Sequence, residues 1–263
     1  MVAALLPVKE FCRSKQRLAG FLTSQERALL ARTMFEDVWD ALREAERGGQ
    51  ALERLLVVSA EPYVIARCRE EGVACLEEEE ARSHSDSVRL ATQWAMGLGV
   101  TSLLSVPIDT PALTAPEILA LLELHPGPLA DPAARDGSDC RYAVVVAPSA
   151  DGSGTNALLR TPPDAIAPQF GPGSCRLHVQ EAETKGLLWR VSPSPGLSAD
   201  IDTPEDIEAF LSTEWVQAST PVLLTGKNAC PTRRCRTWAL LQQWFDFAHH
   251  RLVGSRGRVP AWR

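Results

Sequence analysis

The stretch TSLLSVPIDTP at residues 101–111 carries an apolar run directly into a single carboxylate, Asp109, which lies between two prolines. A short apolar run bounded by turn residues is typical of a buried β-strand, and we predict a strand over residues 101–107. Ligands of open α/β sheets bind beyond the carboxyl ends of the strands. The stretch therefore predicts a buried sheet with a polar site at its edge.

Similar apolar runs alternate with amphipathic stretches on both sides of this one. We predict further strands over residues 2–8, 52–59, 73–76, 142–147 and 187–191, and helices over residues 24–46, 62–71, 85–98, 116–124, 174–182 and 204–211. Strands separated by helices need crossover connections, which give a mainly parallel sheet. Two segments rich in Pro, Gly and Ser, residues 126–140 and 148–174, are predicted to be loops. We expect an α/β fold.

The composition excludes several classes of protein. The chain has 263 residues, of which 45% are hydrophobic, but no run of 18 apolar residues, so we expect no membrane span. Its start lacks a basic region and a small-residue cleavage site, and we expect a cytoplasmic protein. The seven cysteines form no CxxC pair, which argues against a disulfide framework and against a zinc site.

The charge is unevenly distributed along the chain. The net charge is −6, yet the part from Trp215 onward has eight basic residues and one acidic residue. The preceding part is therefore strongly acidic, which argues against nucleic acid as the main partner. Residues 213–263 are predicted to be a basic, Trp-containing extension of unknown role, either a poorly ordered appendage or a helix that packs on a partner subunit in a homodimer.

Three cations follow the first predicted strand: Lys9, Lys15 and Arg17. Arginine offers a planar fork and lysine a compact charge, and both suit a triphosphate at the edge of a sheet. An exposed, solvated basic loop has the same pattern. From this segment alone the solvated loop is the favoured interpretation.

Three carboxylates are candidate metal ligands: Asp109, Asp200 and Asp202. Hard cations such as Mg²⁺ prefer carboxylate oxygens and keep water for substrate phosphates. The alternative for each is helix capping. Thr114 is better placed than Asp109 to cap the following helix, whereas Asp202 or Thr203 before Pro204 could start the last one.

Two glycine-rich turns are candidate anion sites. Residues 151–156 (DGSGTN) follow a predicted strand and include Thr155, and residues 170–174 (FGPGS) precede a predicted helix and include Gly171 and Ser174. Glycines allow backbone amides to approach a phosphate, and free amides at a helix start bind anions. His178, one turn after Ser174, could support this anion site, but packing in the core or behind the site is the favoured interpretation. The His, Ser and Asp residues at 83–87 could suggest the triad of a serine hydrolase, but no GxSxG nucleophile motif is present. The Ser/Asp cluster is therefore predicted to cap a helix.

The order of these motifs resembles the 2-phospho-L-lactate guanylyltransferase family, which includes phosphoenolpyruvate guanylyltransferases and serves biosynthesis of the deazaflavin coenzyme F(420). The resemblance covers about residues 1–211 and depends most on GSGTN, FGPGS and DIDTPED. It implies a nucleotidyltransferase domain at residues 1–212. It also implies a Rossmann-like three-layer α/β/α sandwich of the nucleotide-diphospho-sugar transferase type.

The resemblance also implies a reaction: GTP and 2-phospholactate, phosphoenolpyruvate or 3-phosphoglycerate react under Mg²⁺ or Mn²⁺ and release pyrophosphate. The roles that the resemblance implies fall on the residues of this chain that match the motifs of the family. The metal ligands are Asp109, Asp200 and Asp202; the acid-binding residues are Thr155, Gly171 and Ser174; the cations facing the triphosphate are Lys9, Lys15 and Arg17; and the catalytic residues are Lys15, Arg17 and Asp109.

One segment departs from the family. Where the nucleotide-side helix is expected to open with Gly-Leu-Asn, this chain has residues 83–87 (SHSDS), which leaves the base preference open. The alternatives are another transferase of this fold, of the molybdopterin-type nucleotidyl- or glycosyltransferase kind, or a non-catalytic nucleotide-binding relic. The FGPGS turn favours a small phosphorylated acceptor, and three retained carboxylates argue against a relic because like charges are costly to keep without a cation.

Overall fold

The computed structural model describes residues 1–49, 51–79, 83–125, 142–212 and 235–244. This part of the chain contains seven strands: β1 (Val2–Val8), β2 (Arg54–Ser59), β3 (Ala74–Glu77), β4 (Ser102–Ser105), β5 (Val144–Pro148), β6 (Thr155–Arg160) and β7 (Trp189–Val191). Up to residue 212 its α-helices, in chain order, are α1 (Ser24–Arg47), α2 (Pro62–Glu71), α3 (His84–Gly97), α4 (Ala115–Leu122), α5 (Ser174–Thr184) and α6 (Pro204–Leu211). The predicted loop at residues 126–140 lies outside the described residues.

The strands form one sheet in the order β3-β2-β1-β4-β6-β5-β7. All neighbouring pairs are parallel except those of β6, which is antiparallel to both β4 and β5. The mainly parallel sheet is confirmed. The prediction of a loop over residues 148–174 is wrong for Thr155–Arg160, which forms strand β6. All six residues of this strand are buried.

Helices cover both faces of the sheet and give the predicted three layers. The larger core packs α1, α2, α4 and α6 on one face, and the two smaller cores pack α3 and α5 on the other. Strand β1 shows how one sequence serves both layers, because Ala4 and Leu6 belong to the larger core whereas Ala3 and Leu5 belong to the core under α3.

Polar side chains cap the starts of three of these helices. Thr23 and Glu26 form a capping box at α1, and Thr203 does the same at α6 with Asp206. The Ser83 hydroxyl accepts from the backbone N–H of Asp86 at 3.1 Å and starts α3. The Ser/Asp cluster is therefore a helix cap, as predicted, and not a hydrolase triad.

The C-terminal segment, residues 235–244, packs against the larger core. It is helical from residue 236, and its apolar side chains Trp238, Leu241 and Trp244 contact that core. We predicted a helix that packs on a partner subunit as one alternative for the extension. In the structure, these residues pack on the core of their own chain instead. The homodimer itself stays a prediction, and the remainder of the extension lies outside the described residues.

The expected absence of a membrane span and of a disulfide framework can be compared with the structure only over the described residues. Within the described residues, no helix has the length and apolar character needed to cross a bilayer. The five cysteines in these ranges carry free thiols.

Candidate functional site

The parallel strands end at one edge of the sheet, and the carboxylates meet there. Asp109 follows β4, and Asp200 and Asp202 precede α6. The backbone N–H of Ile201 donates to the Asp109 carbonyl at 3.0 Å, which joins the two loops directly. This hydrogen bond brings carboxylates that are about 90 residues apart in sequence into one site.

Lys15 contacts two of these carboxylates. Its ammonium Nζ lies 2.8 Å from Asp202 Oδ1 and 3.3 Å from Asp109 Oδ2, and its side chain is only 5% exposed. Burial lowers the pKa of Lys15, but the charges of Asp109 and Asp202 outweigh it and raise the pKa above its usual value. The exposed Arg17 guanidinium adds a contact of 3.5 Å to Asp202.

The backbone of Lys15 is strained. It lies in the left-handed region with φ 53° and ψ 42°, which non-glycine residues seldom adopt. Such a conformation costs about 1–3 kcal/mol and persists where surrounding contacts determine it. In this backbone conformation the ammonium of Lys15 contacts Asp109 and Asp202. The basic loop is therefore not simply solvated at this position.

Asp200 is held from the opposite side. Asn156 Nδ2 donates to Asp200 Oδ1 at 2.8 Å and to the Leu197 carbonyl at 2.7 Å. Burial raises the pKa of Asp200, and the charges of Asp109 and Asp202 raise it further against the lowering effect of Asn156. For Asp202, Lys15 and Arg17 outweigh burial and lower the pKa. The three carboxylates therefore influence one another electrostatically.

Neither Asp109 nor Asp202 caps a helix. Thr114 starts α4, and its backbone N–H and hydroxyl donate to Glu117 Oε2 at 3.0 and 2.7 Å. At α6 the cap is Thr203. The capping alternative is thus excluded for both carboxylates, whose contacts are instead with Lys15 and Arg17.

The carboxylates fit a hard cation in their chemistry. The oxygen Asp109 Oδ1 is buried and has no hydrogen-bond partner within the described part of the chain. Buried polar atoms normally have partners, and an orphan needs an explanation such as an ion. With Lys15 against Asp109 and Asp202, however, the described ranges contain no group of three acidic, His or Cys side chains arranged to hold a metal.

Glu117 anchors the loop that leads to Asp200. Its Oε1 accepts from Ser194 Oγ at 2.6 Å and from the Gly196 backbone N–H at 2.7 Å. A Cβ on Gly196 would lie 2.7 Å from the Ala112 carbonyl oxygen, so only glycine fits this close approach. The loop is therefore fixed on the start of α4 before it reaches the carboxylates.

The segment that departs from the family lies beside the carboxylates. Burial lowers the pKa of His84 to about 4; nearby Asp109 raises it and Lys9 lowers it. His84 is thus neutral at pH 7 and close to both residues. The exposed Lys9 follows β1 directly, as predicted, and it forms no ion pair with the described residues.

A β-bulge places Thr155 on the face of the sheet opposite to that of Ala157. The β5–β6 register shifts between Ala147, which opposes Ala157, and Pro148, which opposes Thr155, so that Asn156 is the extra residue. Ala157 and the Asn156 partner Leu197 belong to the larger core, whereas Thr155 contacts residues of α5 on the other face. Without the bulge, strict alternation would place Thr155 on the face of Ala157.

Thr155 belongs to a buried polar group with Ser174 and His178. Ser174 Oγ donates to Thr155 Oγ1 at 3.1 Å, and His178 Nδ1 lies 3.1 Å from the same oxygen. Burial and the charge of Arg160 lower the pKa of His178 to about 4, against Glu181, so the ring is neutral at pH 7. His178 is buried, as predicted, but it packs through polar contacts.

The FGPGS turn starts α5 and lies against α3. Gly171 and Gly173 have φ values of 130° and 74°, which glycine adopts without strain. The Phe170 backbone N–H donates to Ser85 Oγ at 2.9 Å, and its ring meets His84 edge-on with centroids 4.6 Å apart. The turn therefore joins the acid side of the predicted site to its nucleotide side.

The amides of both glycine-rich segments are partly occupied. At the start of α5, the N–H groups of Ser174 and Cys175 donate to the carbonyls of Gly171 and Ser153. In the DGSGTN segment, Asp151 accepts from the Ser153 N–H at 2.9 Å. The DGSGTN segment is a hairpin turn between β5 and β6, and its role as an anion site stays a prediction.

Two residues that shape the site were not predicted from the sequence, Asn156 and Glu117. The Asn156 position lies in the GSGTN motif, so the motif was a signal, but only Thr155 was singled out. The contribution of Glu117 depends on a loop about 80 residues away and leaves no local signal.

Comparisons with known proteins identify the family of the chain. The family described as "Guanylyl transferase CofC like" matches residues 2–215. Two phosphoenolpyruvate guanylyltransferases are similar, from Conexibacter woesei (35% identity, 79% of this chain and 86% of the relative) and Rubrobacter xylanophilus (36%, 82% and 96%). A 2-phospho-L-lactate guanylyltransferase from Methanothermobacter thermautotrophicus is 32% identical over 82% of this chain and 86% of its own length.

A solved structure supports the fold. A protein from Desulfovibrio desulfuricans G20, described as a candidate nucleotide-diphospho-sugar transferase, superposes with a TM-score of 0.65, 15% identity and coverage of 95% of this chain and 97% of its own. At that identity the likeness establishes the fold alone. The family match spans most of the chain and includes every residue of the site, and the chain therefore belongs to the guanylyl transferase CofC-like family of nucleotidyltransferases.

Proposed function

We propose that the protein transfers GMP from GTP to the phosphate of a small phosphorylated acid and releases pyrophosphate. The observation that carries the proposal is that Asp109 and Asp202 share the buried ammonium of Lys15, close enough to Asp200 for their charges to raise its pKa, while Asp109 Oδ1 has no partner among the described residues. Phosphoryl-transfer sites are built from such positioned charges rather than from covalent catalysts.

In this proposal Asp109, Asp200 and Asp202 hold Mg²⁺ or Mn²⁺. The metal, when bound, would neutralise charge on the phosphates of GTP. Asn156 keeps Asp200 oriented, in the manner of partners that orient metal ligands elsewhere. The orphan oxygen of Asp109 supports this assignment, because a cation would give it the partner that it lacks.

Lys9, Lys15 and Arg17 serve the triphosphate. Lys15 is already desolvated and charged at the carboxylate edge, and a cation among the carboxylates would replace it there and release its ammonium to the phosphates. Arg17, at 67% exposure, remains free to reorient. Lys15, Arg17 and Asp109 thus form the proposed catalytic set, through charge neutralisation and positioning.

The acid is bound by Thr155, Gly171 and Ser174 at the start of α5. An oxygen of its phosphate attacks the α-phosphorus of GTP, a new P–O bond forms, and the bond to the β-phosphate oxygen breaks as pyrophosphate leaves. A phosphate carries anionic oxygens at pH 7, so the step needs no general base. This fits a site where the neutral His84 and His178 are both held in packing contacts.

The biological assignment follows the family resemblance. We infer a cytoplasmic enzyme of coenzyme F(420) biosynthesis that has no nucleic-acid partner. Phosphoenolpyruvate is the first acceptor to test, because the Conexibacter and Rubrobacter relatives carry that name.

The test is pyrophosphate release by the purified full chain with Mg²⁺. GTP, CTP, ATP and UTP are each combined with phosphoenolpyruvate, 2-phospholactate and 3-phosphoglycerate. Release that requires both GTP and one of these acids supports the proposal and names the acceptor. Pyrophosphate release with CTP and none with GTP would contradict the proposed preference for guanine. A folded protein that releases no pyrophosphate in any combination would contradict the proposed reaction.

A further inference from the structure

The His178 ring has a fixed tautomer. Its Nε2 accepts the backbone N–H of Gln169 at 2.9 Å, so that nitrogen carries no proton. A neutral imidazole has one proton, which must then lie on Nδ1. Since Nδ1 faces Thr155 Oγ1 at 3.1 Å, His178 donates a hydrogen bond to this hydroxyl.

The Thr155 hydroxyl is consequently left as a donor. It accepts from His178 Nδ1 and from Ser174 Oγ, and a hydroxyl oxygen has two lone pairs. Both acceptor positions are filled, so the hydroxyl can add a hydrogen bond only through its own proton. Such a group favours an acceptor such as a phosphate or carboxylate oxygen and disfavours a donor.

Burial separates the roles of the three residues. Ser174 and His178 are both 0% exposed, whereas Thr155 retains 6% exposure at the site edge. Phe170, whose ring packs edge-on against His178 at 5.5 Å, holds the ring from the side of the FGPGS turn. Only Thr155 of the three has exposed surface with which to contact a ligand.

We propose that His178 is a positioning residue for acid recognition, which acts with Ser174 by holding the Thr155 hydroxyl as an obligatory donor to the phosphorylated acid. This inference rests on the proposed function and changes one detail of it. Ser174 acts through Thr155 rather than through its own hydroxyl. The machinery of GTP binding on the other side of the sheet edge is not involved.

Matched substitutions test the role. Thr155→Val removes the hydroxyl at nearly constant shape, and Thr155→Ser keeps it. His178→Asn retains an amide donor near the position of Nδ1, whereas the longer His178→Gln places its amide near that of Nε2. We expect Thr155→Val and His178→Gln to raise KM for the acid by about 10- to 100-fold and KM for GTP by less than about twofold. Thr155→Ser and His178→Asn should be closer to the wild type.

The double variant His178→Gln/Thr155→Val separates positioning from general structure. If His178 acts through Thr155, the double variant has the acid KM of Thr155→Val alone, because residues that share one interaction are not additive. Multiplied effects, or an unchanged acid KM in His178→Gln, would overturn the inference. Thermal unfolding of each variant identifies loss of fold, and Ser174→Ala, which removes the second donor to Thr155, then replaces a variant that fails to fold and should also raise the acid KM alone.

Calorimetric binding of phosphoenolpyruvate keeps this test independent of turnover. Weaker binding in His178→Gln, with binding retained in His178→Asn, supports the positioning role even if the wild type releases no pyrophosphate, and that silence contradicts only the proposed function. Equal binding by the wild type and both variants contradicts the positioning role.

Discussion

Two regions of this protein hold buried or half-buried carboxylates, and they do so in opposite ways. Asp37 of α1 is nearly buried, and both its oxygens have partners: Oδ1 accepts from the Arg236 N–H at 2.9 Å, and Oδ2 accepts from the Thr237 N–H at 2.8 Å and the Cys235 thiol at 3.1 Å. At the sheet edge, Asp109 Oδ1 has no partner within the described residues, and Asp200 is left with a raised pKa.

The difference distinguishes a structural carboxylate from a functional one. Asp37 caps the helical C-terminal segment and thereby attaches residues 235–244 to the catalytic fold. The edge carboxylates repel one another and are compensated by Lys15 in a strained conformation. Natural proteins keep such frustration where a ligand relieves it. Loss of Asp37 should therefore affect stability, and loss of an edge carboxylate should affect chemistry.

The largest expected effect comes from Asp109→Asn, which keeps the shape and removes the charge. We predict a fall in kcat of about 1,000-fold, because groups that stabilise transition-state charge have effects of this order. The free energy of unfolding should change by less than about 1 kcal/mol, since Lys15 keeps Asp202 as a partner. Pyrophosphate release and urea unfolding measure the two quantities. Near-normal turnover would remove Asp109 from the site.

Asp37→Asn should give the inverse result. We predict a loss of about 2 kcal/mol in the free energy of unfolding, because one of the two backbone N–H donors loses its acceptor and the other donates to a neutral oxygen instead of a charged one. The KM values for both substrates should not change. Glu208→Ala, at an exposed acid on α6, is the control and should stay within about 0.5 kcal/mol of the wild type. Equal stability of Asp37→Asn and the control would show that the C-terminal segment is not anchored in this way.

Asn156→Ala sharpens the comparison at the edge. Without the amide, Asp200 loses its hydrogen bond, and the Mg²⁺ concentration for half-maximal turnover should rise by about 10- to 100-fold. The measurement is a Mg²⁺ titration of pyrophosphate release at saturating substrates. Thr155→Val, on the other face of the bulge, is the matched control and should leave the Mg²⁺ dependence unchanged. A shift of equal size in both variants would argue against separate roles.

The smallest predicted effect concerns stability against pH. Burial and Arg160 hold the pKa of His178 at about 4, against the effect of Glu181, while the unfolded value is 6.5. The unfolded chain therefore binds more protons below pH 6.5, and stability falls as the pH falls toward 4. Between pH 6.5 and 5.5 this group should cost about 1 kcal/mol. Urea unfolding at both values should show that His178→Asn loses this part of the slope, and an unchanged slope would contradict the assignment.

Much of this architecture could be predicted from the sequence, because apolar runs and capping residues are local signals. The bounds of α6 match the prediction over residues 204–211, and Lys9 and Asp109 follow strands as expected. Strand β6 was missed because its residues lie between segments rich in Gly and Pro. The partners of Asp37 lie about 200 residues away, and such pairing leaves no local pattern.

The finer geometry of the site depends on backbone features that periodicity cannot show. The left-handed Lys15 and the bulge at Asn156 each break a regular pattern, and each one aims a side chain at the site. Sequence motifs identified the positions, but the direction of the Thr155 side chain follows only from the register shift.

A crystal structure of the full chain with Mn²⁺ and a non-hydrolysable GTP analogue tests the central claim most directly. We predict an anomalous manganese peak among Asp109, Asp200 and Asp202, with Lys15 Nζ displaced from Asp202 toward the phosphates. Manganese bound elsewhere, with Lys15 still paired to both Asp109 and Asp202, would contradict the assignment of this edge as the metal–nucleotide site.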